Sequence, residues 1–208
     1  MLITYGLIAI TVLISFYAWK KDTVMRDLIL NPYFIQKQGQ YYRLITSGFI
    51  HQDHMHLLMN MISLYFFGSA IEGLFHVIFG TTGYVYYICL YLLGIVISDI
   101  PTYLKHRNNP NYNALGASGG VAAIIFAFIL FLPLENICFY YVLCMPGFIL
   151  GTAYIVYSYY QGRKANDHIN HDAHLYGALF GFLFCIAIYP PVIGRFFEQI
   201  MSFVDKYI

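Results

Sequence analysis

Six long apolar segments constrain the fold of this chain more than any other feature. A bilayer core about 30 Å thick is crossed by a helix of roughly 20 mainly apolar residues. Charged residues make up only 10% of the 208 positions, whereas a soluble domain carries about 25%. The apolar segments are 1–19, 54–74, 77–99, 116–133, 137–160 and 173–193. We therefore predict an all-α polytopic membrane protein, a single six-helix domain over 1–208 with no separate soluble domain.

The first segment is interpreted as a membrane helix rather than a cleaved signal peptide. It has no basic region before its apolar run, and no Ala-x-Ala-like site precedes Lys20-Lys21.

All four cysteines lie inside apolar segments, and no two of them are spaced CxxC; they are Cys89, Cys138, Cys144 and Cys185. We expect them to be small buried apolar residues rather than disulfides or metal ligands.

Three polar loops, 20–53, 100–115 and 161–172, hold nine of the eleven lysines and arginines. In a six-helix chain these loops all lie on one side of the membrane. Since short cytoplasmic loops usually carry the excess of basic residues, charge alone would place this side in the cytoplasm.

The chain has no basic run of the kind that binds nucleic acid, so we expect no nucleic-acid partner.

Polar residues cluster at the starts of the second, fourth and sixth segments. The chain reads HQDHMHLLMN from His51, LGASGG from Leu115 and HDAHLYGALFG from His171. Polar groups at membrane depth are costly and commonly mark functional sites. Because these three helices run in the same direction, their first turns share one face of the membrane. We expect the three clusters to converge on one cavity.

The fourth and sixth segments carry a serine and a histidine in small-residue surroundings. His174, Gly177 and Gly181 lie on one helix face, and small residues let helix backbones approach closely. Packing this face against the glycines around Ser118 would bring the hydroxyl within reach of the imidazole. A serine becomes a nucleophile when an adjacent base takes its proton, and histidine suits that role.

Attack by a serine on a peptide bond produces an oxyanion, which needs preorganised hydrogen-bond donors. His56 and Asn60 are four residues apart and therefore share a face of the second helix. We expect their side chains, with the backbone N–H of Ser118, to supply those donors. No acid completes a triad, since Asp172 is expected to be solvated.

At these residues the chain resembles the rhomboid family of intramembrane serine proteases, over nearly its whole length. Three motifs in order carry the resemblance: HxxxxHxxxN from His51 to Asn60, GxSG from Gly116 to Gly119, and a histidine with GxxxG spacing from His174 to Gly181. GxSG alone is a weak signal. The three motifs together, on helices two, four and six, are highly specific.

The resemblance implies a Ser118–His174 dyad, with His56, Asn60 and the Ser118 amide forming the oxyanion hole. It implies a supporting role for His51, Gly116, Gly119, Gly177, Gly181 and Arg43. The implied substrates are single-span membrane proteins whose helix unwinds near the membrane surface and is cut beside a small residue. The lipid bilayer is the other expected partner, and no cofactor or metal is expected.

Two positions depart from the family pattern. Tyr42 precedes Arg43 where the family has a Trp-Arg pair, and Ala122 stands where a large aromatic residue often stacks on the histidine.

The resemblance also implies a cell-membrane protein with its N-terminus in the cytoplasm and its catalytic face outside, opposite to the charge count. We give the resemblance more weight, because the family's first loop is structured and its charges report less on topology.

Two alternatives remain at this stage. The first is an inactive rhomboid-like protein that binds membrane clients, although such relatives typically lack the serine or the histidine. The second is a metal, haem or transport site, built from the histidines 51, 54, 56, 168, 171 and 174. Histidine is a common metal ligand, but no HExxH motif and no inward-facing Cys or carboxylate partner accompanies these residues.

Overall fold

We analysed a computed structural model of the chain, which describes residues 1–139, 143–164 and 170–207. Its helices, in chain order, are α1 (Leu2–Lys20), α2 (Asp22–Leu28), α3 (Pro32–Gln38), α4 (Arg43–Thr46), α5 (His54–Ser63), α6 (Ser69–Phe79), α7 (Thr82–His106), α8 (Ser118–Phe131), α9 (Gly147–Lys164), α10 (His171–Ile188) and α11 (Pro191–Tyr207). A 3₁₀ turn follows α4 at Ser47–Phe49, and a π-helical turn at Leu64–Gly68 joins α5 to α6. Two strands, β1 (Asn136–Phe139) and β2 (Leu143–Pro146), precede α9.

The predicted polytopic helical bundle is confirmed. Within the described residues, four helices are long and apolar enough to cross a membrane: α1, the continuous α5–α6 rod, α7 and α10. The helix α8 is apolar but shorter, and α9 occupies most of the fifth predicted segment. The protein is therefore a multi-pass membrane protein.

The expectation for residues 137–160 is wrong at its start, and so is the expectation that Cys138 and Cys144 form no disulfide. Strands β1 and β2 form an antiparallel hairpin in which Cys138 lies opposite Cys144, and a disulfide joins these two cysteines. An apolar run of this length does not by itself distinguish strand from helix. Pro146 then disfavours helical backbone at the residue before it, so α9 begins only at Gly147.

The helix α8 lies at the centre of the bundle, where most of its residues are buried. Close approach to its neighbours depends on glycines. A Cβ added to Gly94 of α7 would lie 2.8 Å from the Cβ of Ala123, and one added to Gly177 or Gly181 of α10 would overlap the backbone of α8. The small-residue faces predicted from the sequence therefore pack as expected.

The first loop folds into the short helices α2, α3 and α4 rather than remaining open. Asn31 caps α3 by accepting a hydrogen bond from the Phe34 N–H at 3.0 Å. Leu30 and Ala114 exchange two backbone hydrogen bonds of 3.0 Å each. The loop is thereby tied to the segment that leads into α8.

Candidate active site

Ser118 is the first residue of α8 and follows a constrained turn. Gly116 has φ +118°, a conformation that residues with a side chain rarely adopt. Its N–H donates to the Ser47 carbonyl at 2.9 Å, and the Ala117 N–H donates to Nε2 of His51 at 3.3 Å. The first loop therefore fixes the backbone on which Ser118 is carried.

The imidazole of His56 lies against this turn. A Cβ added to Gly116 would be 2.6 Å from Cε1 and 2.8 Å from Nε2 of His56. Asp53 caps α5 by accepting from the His56 N–H at 2.8 Å, and this bond is the main reason that the pKa of Asp53 is lowered. Asn60, which is buried, donates through Nδ2 to the His56 carbonyl at 2.9 Å. The structure thus places His56 beside the Ser118 turn and Asn60 one helical turn further along α5.

His51 is fully buried and joins three parts of the chain. Because its Nε2 accepts from Ala117, the ring proton is on Nδ1, which faces the Ser15 hydroxyl of α1 at 3.1 Å. Ser15 in turn donates to the Phe49 carbonyl at 3.1 Å. Burial, with a smaller effect of the neighbouring His56, lowers the pKa of His51 to about 3. His51 is therefore a neutral imidazole that links α1 to the Gly116 turn before Ser118.

His174 lies in the first turn of α10, the helix that packs against α8 through Gly177 and Gly181. Gly177, one turn further along, contacts the Gly119 carbonyl, and Ala173 lines the same small cavity as Ser118. The hydrogen bonds of the described residues do not include one between the Ser118 hydroxyl and the imidazole. Ser118 and His174 therefore lie in the first turns of two helices, α8 and α10, that pack against each other.

Tyr154 of α9 is a residue that the sequence reasoning missed. Its ring stacks on His174 with centroids 6.3 Å apart and an interplanar angle of 19°, and it also contacts Phe126 of α8. Ala122 leaves no aromatic partner for His174 on α8 itself. The absence of that partner was visible in the sequence, but the rotation of α9 that replaces it was not.

Arg43 stabilises the folded first loop and takes no direct part in the proposed reaction. It is only 4% exposed, and its guanidinium donates to the carbonyls of Arg26 and Ile29, each at 2.7 Å. It also donates to Gln40 Oε1 at 2.6 Å and lies 5.5 Å from the Tyr42 ring centroid. The Tyr42 ring therefore lies against the Arg43 guanidinium.

Of the predicted site positions, His56 lies beside Gly116 and Gly177 lies beside Gly119, the residue after Ser118. Within the described part of the chain, no three His, Cys, Asp or Glu side chains are grouped as a metal site. His168, a member of the alternative histidine cluster, lies outside the described residues. His54 is exposed and packs its ring on Trp19 at 4.3 Å.

Comparison with known proteins identifies relatives of this chain. A family model described as "Rhomboid domain" matches residues 38–191. The chain is 29% identical to "RHOMBOID-like protein 12, mitochondrial" of Arabidopsis thaliana over 74% of its length. It is 28% identical to "Presenilin-associated rhomboid-like protein A, mitochondrial" of Danio rerio over 85%. It spans about half of each of these relatives, 49% and 45% respectively.

A bacterial protein matches over most of both lengths. The chain is 24% identical to "Putative rhomboid protease YdcA" of Bacillus subtilis (strain 168), with 87% of the chain and 85% of that protein covered. The family model covers well over half of the chain and includes Ser118, His56, Asn60 and His174. The chain therefore belongs to the rhomboid family.

Proposed function

We propose that the protein is an intramembrane serine endopeptidase that cuts single-span membrane proteins in or near their transmembrane segments. The observation that carries the proposal is the meeting of His56, the Gly116 turn and the first turn of α10 beside Ser118. The rhomboid family includes intramembrane serine proteases, and the chain has both the serine and the histidine that inactive relatives typically lack.

The proposed reaction uses His174 as the base and Ser118 as the nucleophile. The imidazole takes the hydroxyl proton as the oxygen attacks the peptide carbonyl, and it later returns that proton to the leaving amine. The N–H of Ser118 and the side chains of His56 and Asn60 stabilise the oxyanion. A water molecule, deprotonated by His174, then hydrolyses the acyl-enzyme. None of these steps calls for a cofactor or a metal ion.

Cleavage in a reconstituted membrane tests this proposal. Wild type, Ser118→Ala and His174→Ala are placed in liposomes with a fluorescently labelled single-span substrate whose helix contains small residues. We expect the wild type to release two fragments and both variants to lose cleavage by several orders of magnitude. Cleavage that persists in Ser118→Ala would contradict the proposal. Substrate binding without cleavage by the wild type would favour the client-binding alternative instead.

We further propose that the protein resides in the cell membrane with its catalytic end on the extracytoplasmic side. The family resemblance supports this placement, whereas the Lys/Arg count opposes it. Arg43 is one of the opposing charges, but its guanidinium is bound to backbone carbonyls of the folded loop. That charge therefore reports on loop structure more than on topology.

Labelling of Asn109→Cys in the loop before α8 tests the placement. A membrane-impermeant maleimide applied to intact cells should modify this variant without permeabilisation, with Gly80→Cys at the other end of the bundle as the control. If only Gly80→Cys is modified, the proposed orientation is wrong and the catalytic end lies in the cytoplasm. That result would agree with the charge count and with the Cys138–Cys144 disulfide at the end opposite Ser118, since disulfides persist in oxidising compartments.

A further inference from the structure

One face of α7 carries polar side chains that neither the motifs nor the proposed reaction uses. Asp99, Thr102 and Lys105 are three residues apart, so they lie along one stripe of the helix. Asp99 accepts a long hydrogen bond of 3.4 Å from the Ser47 hydroxyl. Lys105 forms an ion pair of 3.2 Å with Asp172 of α10. The stripe therefore faces both the turn before Ser118 and the start of the His174 helix.

Thr102 makes the most enclosed of these contacts. Its side chain is 1% exposed, and its hydroxyl oxygen accepts from Nδ2 of Asn170 at 2.9 Å. The same hydroxyl lies 3.1 Å from Oδ1 of Asn170, to which it can donate its own proton. One threonine thus engages both ends of the Asn170 amide and ties the side chain of Asn170 to α7.

Asn170 holds the first turn of α10. Its Oδ1 accepts from the Ala173 N–H at 3.1 Å, and its backbone carbonyl accepts from the His174 N–H at 3.3 Å. Asn170 also lines, with Ser118, the enclosed cavity of about 10 Å³. The residue that caps the His174 helix is therefore itself part of the wall beside the nucleophile.

Burial distinguishes the Thr102 contact from the neighbouring ion pair. The Lys105 and Asp172 side chains are 53% and 29% exposed, and ion pairs in such positions contribute only about 0–1 kcal/mol. Removing the Thr102 hydroxyl instead leaves a partly enclosed amide without its partner, which costs more. Of the two links from α7 to α10, the threonine is the stronger.

We propose that Thr102 is a positioning residue for the reaction: through Asn170 it fixes the first turn of α10 and thereby the place of His174 relative to Ser118. The inference rests on the proposed serine-protease function. It assigns to α7, which contributes no catalytic group, the orientation of the base.

Steady-state kinetics of Thr102→Val, with Thr102→Ser and Thr82→Val as controls, test the inference. Val removes the hydroxyl with little change of shape, Ser restores it, and Thr82 is an exposed residue at the other end of α7. We expect Thr102→Val to lower kcat about 10- to 100-fold with KM changed less than twofold, because a displacement of about 1 Å at a reacting group costs up to about 100-fold. Thr102→Ser should recover most of kcat, and Thr82→Val should match the wild type.

Three outcomes would separate the possible failures. If Thr102→Val retains wild-type kcat, or if Thr102→Ser fails to recover it, the positioning role is wrong while the protease proposal stands. If Thr102→Val loses kcat only in proportion to its loss of folded protein, measured by its melting temperature, the residue is merely structural and the inference fails. If the wild type cleaves no substrate, the proposed function fails first.

Discussion

At the scale of single residues, the missing side chain of Gly116 allows the His56 ring to lie against the turn before Ser118. Gly116→Ala would place a methyl group 2.6 Å from Cε1 of His56, so the ring must move. We expect kcat to fall at least about tenfold, since oxyanion donors act only in the correct geometry. Gly80→Ala is the matched control, because Gly80 also has positive φ but no atom within 4 Å of an added Cβ. An equal loss of kcat in both variants would attribute the effect to backbone strain instead.

His51 makes stability depend on pH. Its pKa is about 3 in the folded protein against 6.5 for the free side chain, so between these values the unfolded chain binds the additional proton. The stability it contributes is complete above pH 6.5 and is lost as pH falls towards 3, by at most about 1.4 kcal/mol per pH unit. The melting-temperature difference between wild type and His51→Gln should therefore shrink from pH 7 to pH 4. A melting-temperature difference that stays constant from pH 7 to pH 4 would refute this role.

At the scale of helices, the contact between α8 and α10 depends on Gly181. An added methyl group there would overlap the Ala123 backbone, and overpacking of this kind costs about 1–3 kcal/mol. We expect Gly181→Ala to lower both the melting temperature and the rate of cleavage. Gly73→Ala in α6 is the control, since no atom lies within 4 Å of an added Cβ there. Equal melting temperatures for the two variants would show that the helices can separate without cost.

The helix α9 contributes an aromatic partner of His174, Tyr154. A stacked aromatic pair contributes about 0.5–1.5 kcal/mol, so Tyr154→Leu should lower kcat roughly 2- to 10-fold. Tyr154→Phe keeps the ring and should remain near wild type. Tyr159→Leu, an exposed position on the same helix, serves as the control. A loss in Tyr154→Phe equal to that in Tyr154→Leu would point to the hydroxyl rather than to the stack.

Helix order and spacing were predictable, whereas helix rotation and loop contacts were not. Apolar length predicted the spans, and i, i+4 spacing predicted that His56 and Asn60 share a face. Local spacing does not predict that Tyr154 stacks on His174 or that Thr102 binds Asn170. Each contact joins residues at least 20 positions apart in the chain, which only the packing of helices brings together. The hairpin before α9 was missed because its apolar composition fits a helix equally well.

At the scale of the whole molecule, the site is assembled by packing rather than by one rigid loop. The central helix α8 carries Ser118, α5 carries His56, whose ring lies beside Gly116, and α10, which packs on α8, carries His174. The first loop closes the same end through Gly116 and His51. The proposed catalysis therefore depends on the bundle as a unit.

Covalent labelling of the protein in detergent tests the central claim most directly. A fluorophosphonate reacts with a serine only when an adjacent base activates it, and mass spectrometry then locates the adduct. We predict one adduct, on Ser118, in the wild type, none in Ser118→Ala, and strongly slowed labelling in His174→Ala that melts like the wild type. An adduct elsewhere, or labelling of Ser118 at an unchanged rate without His174, would contradict the Ser118–His174 dyad.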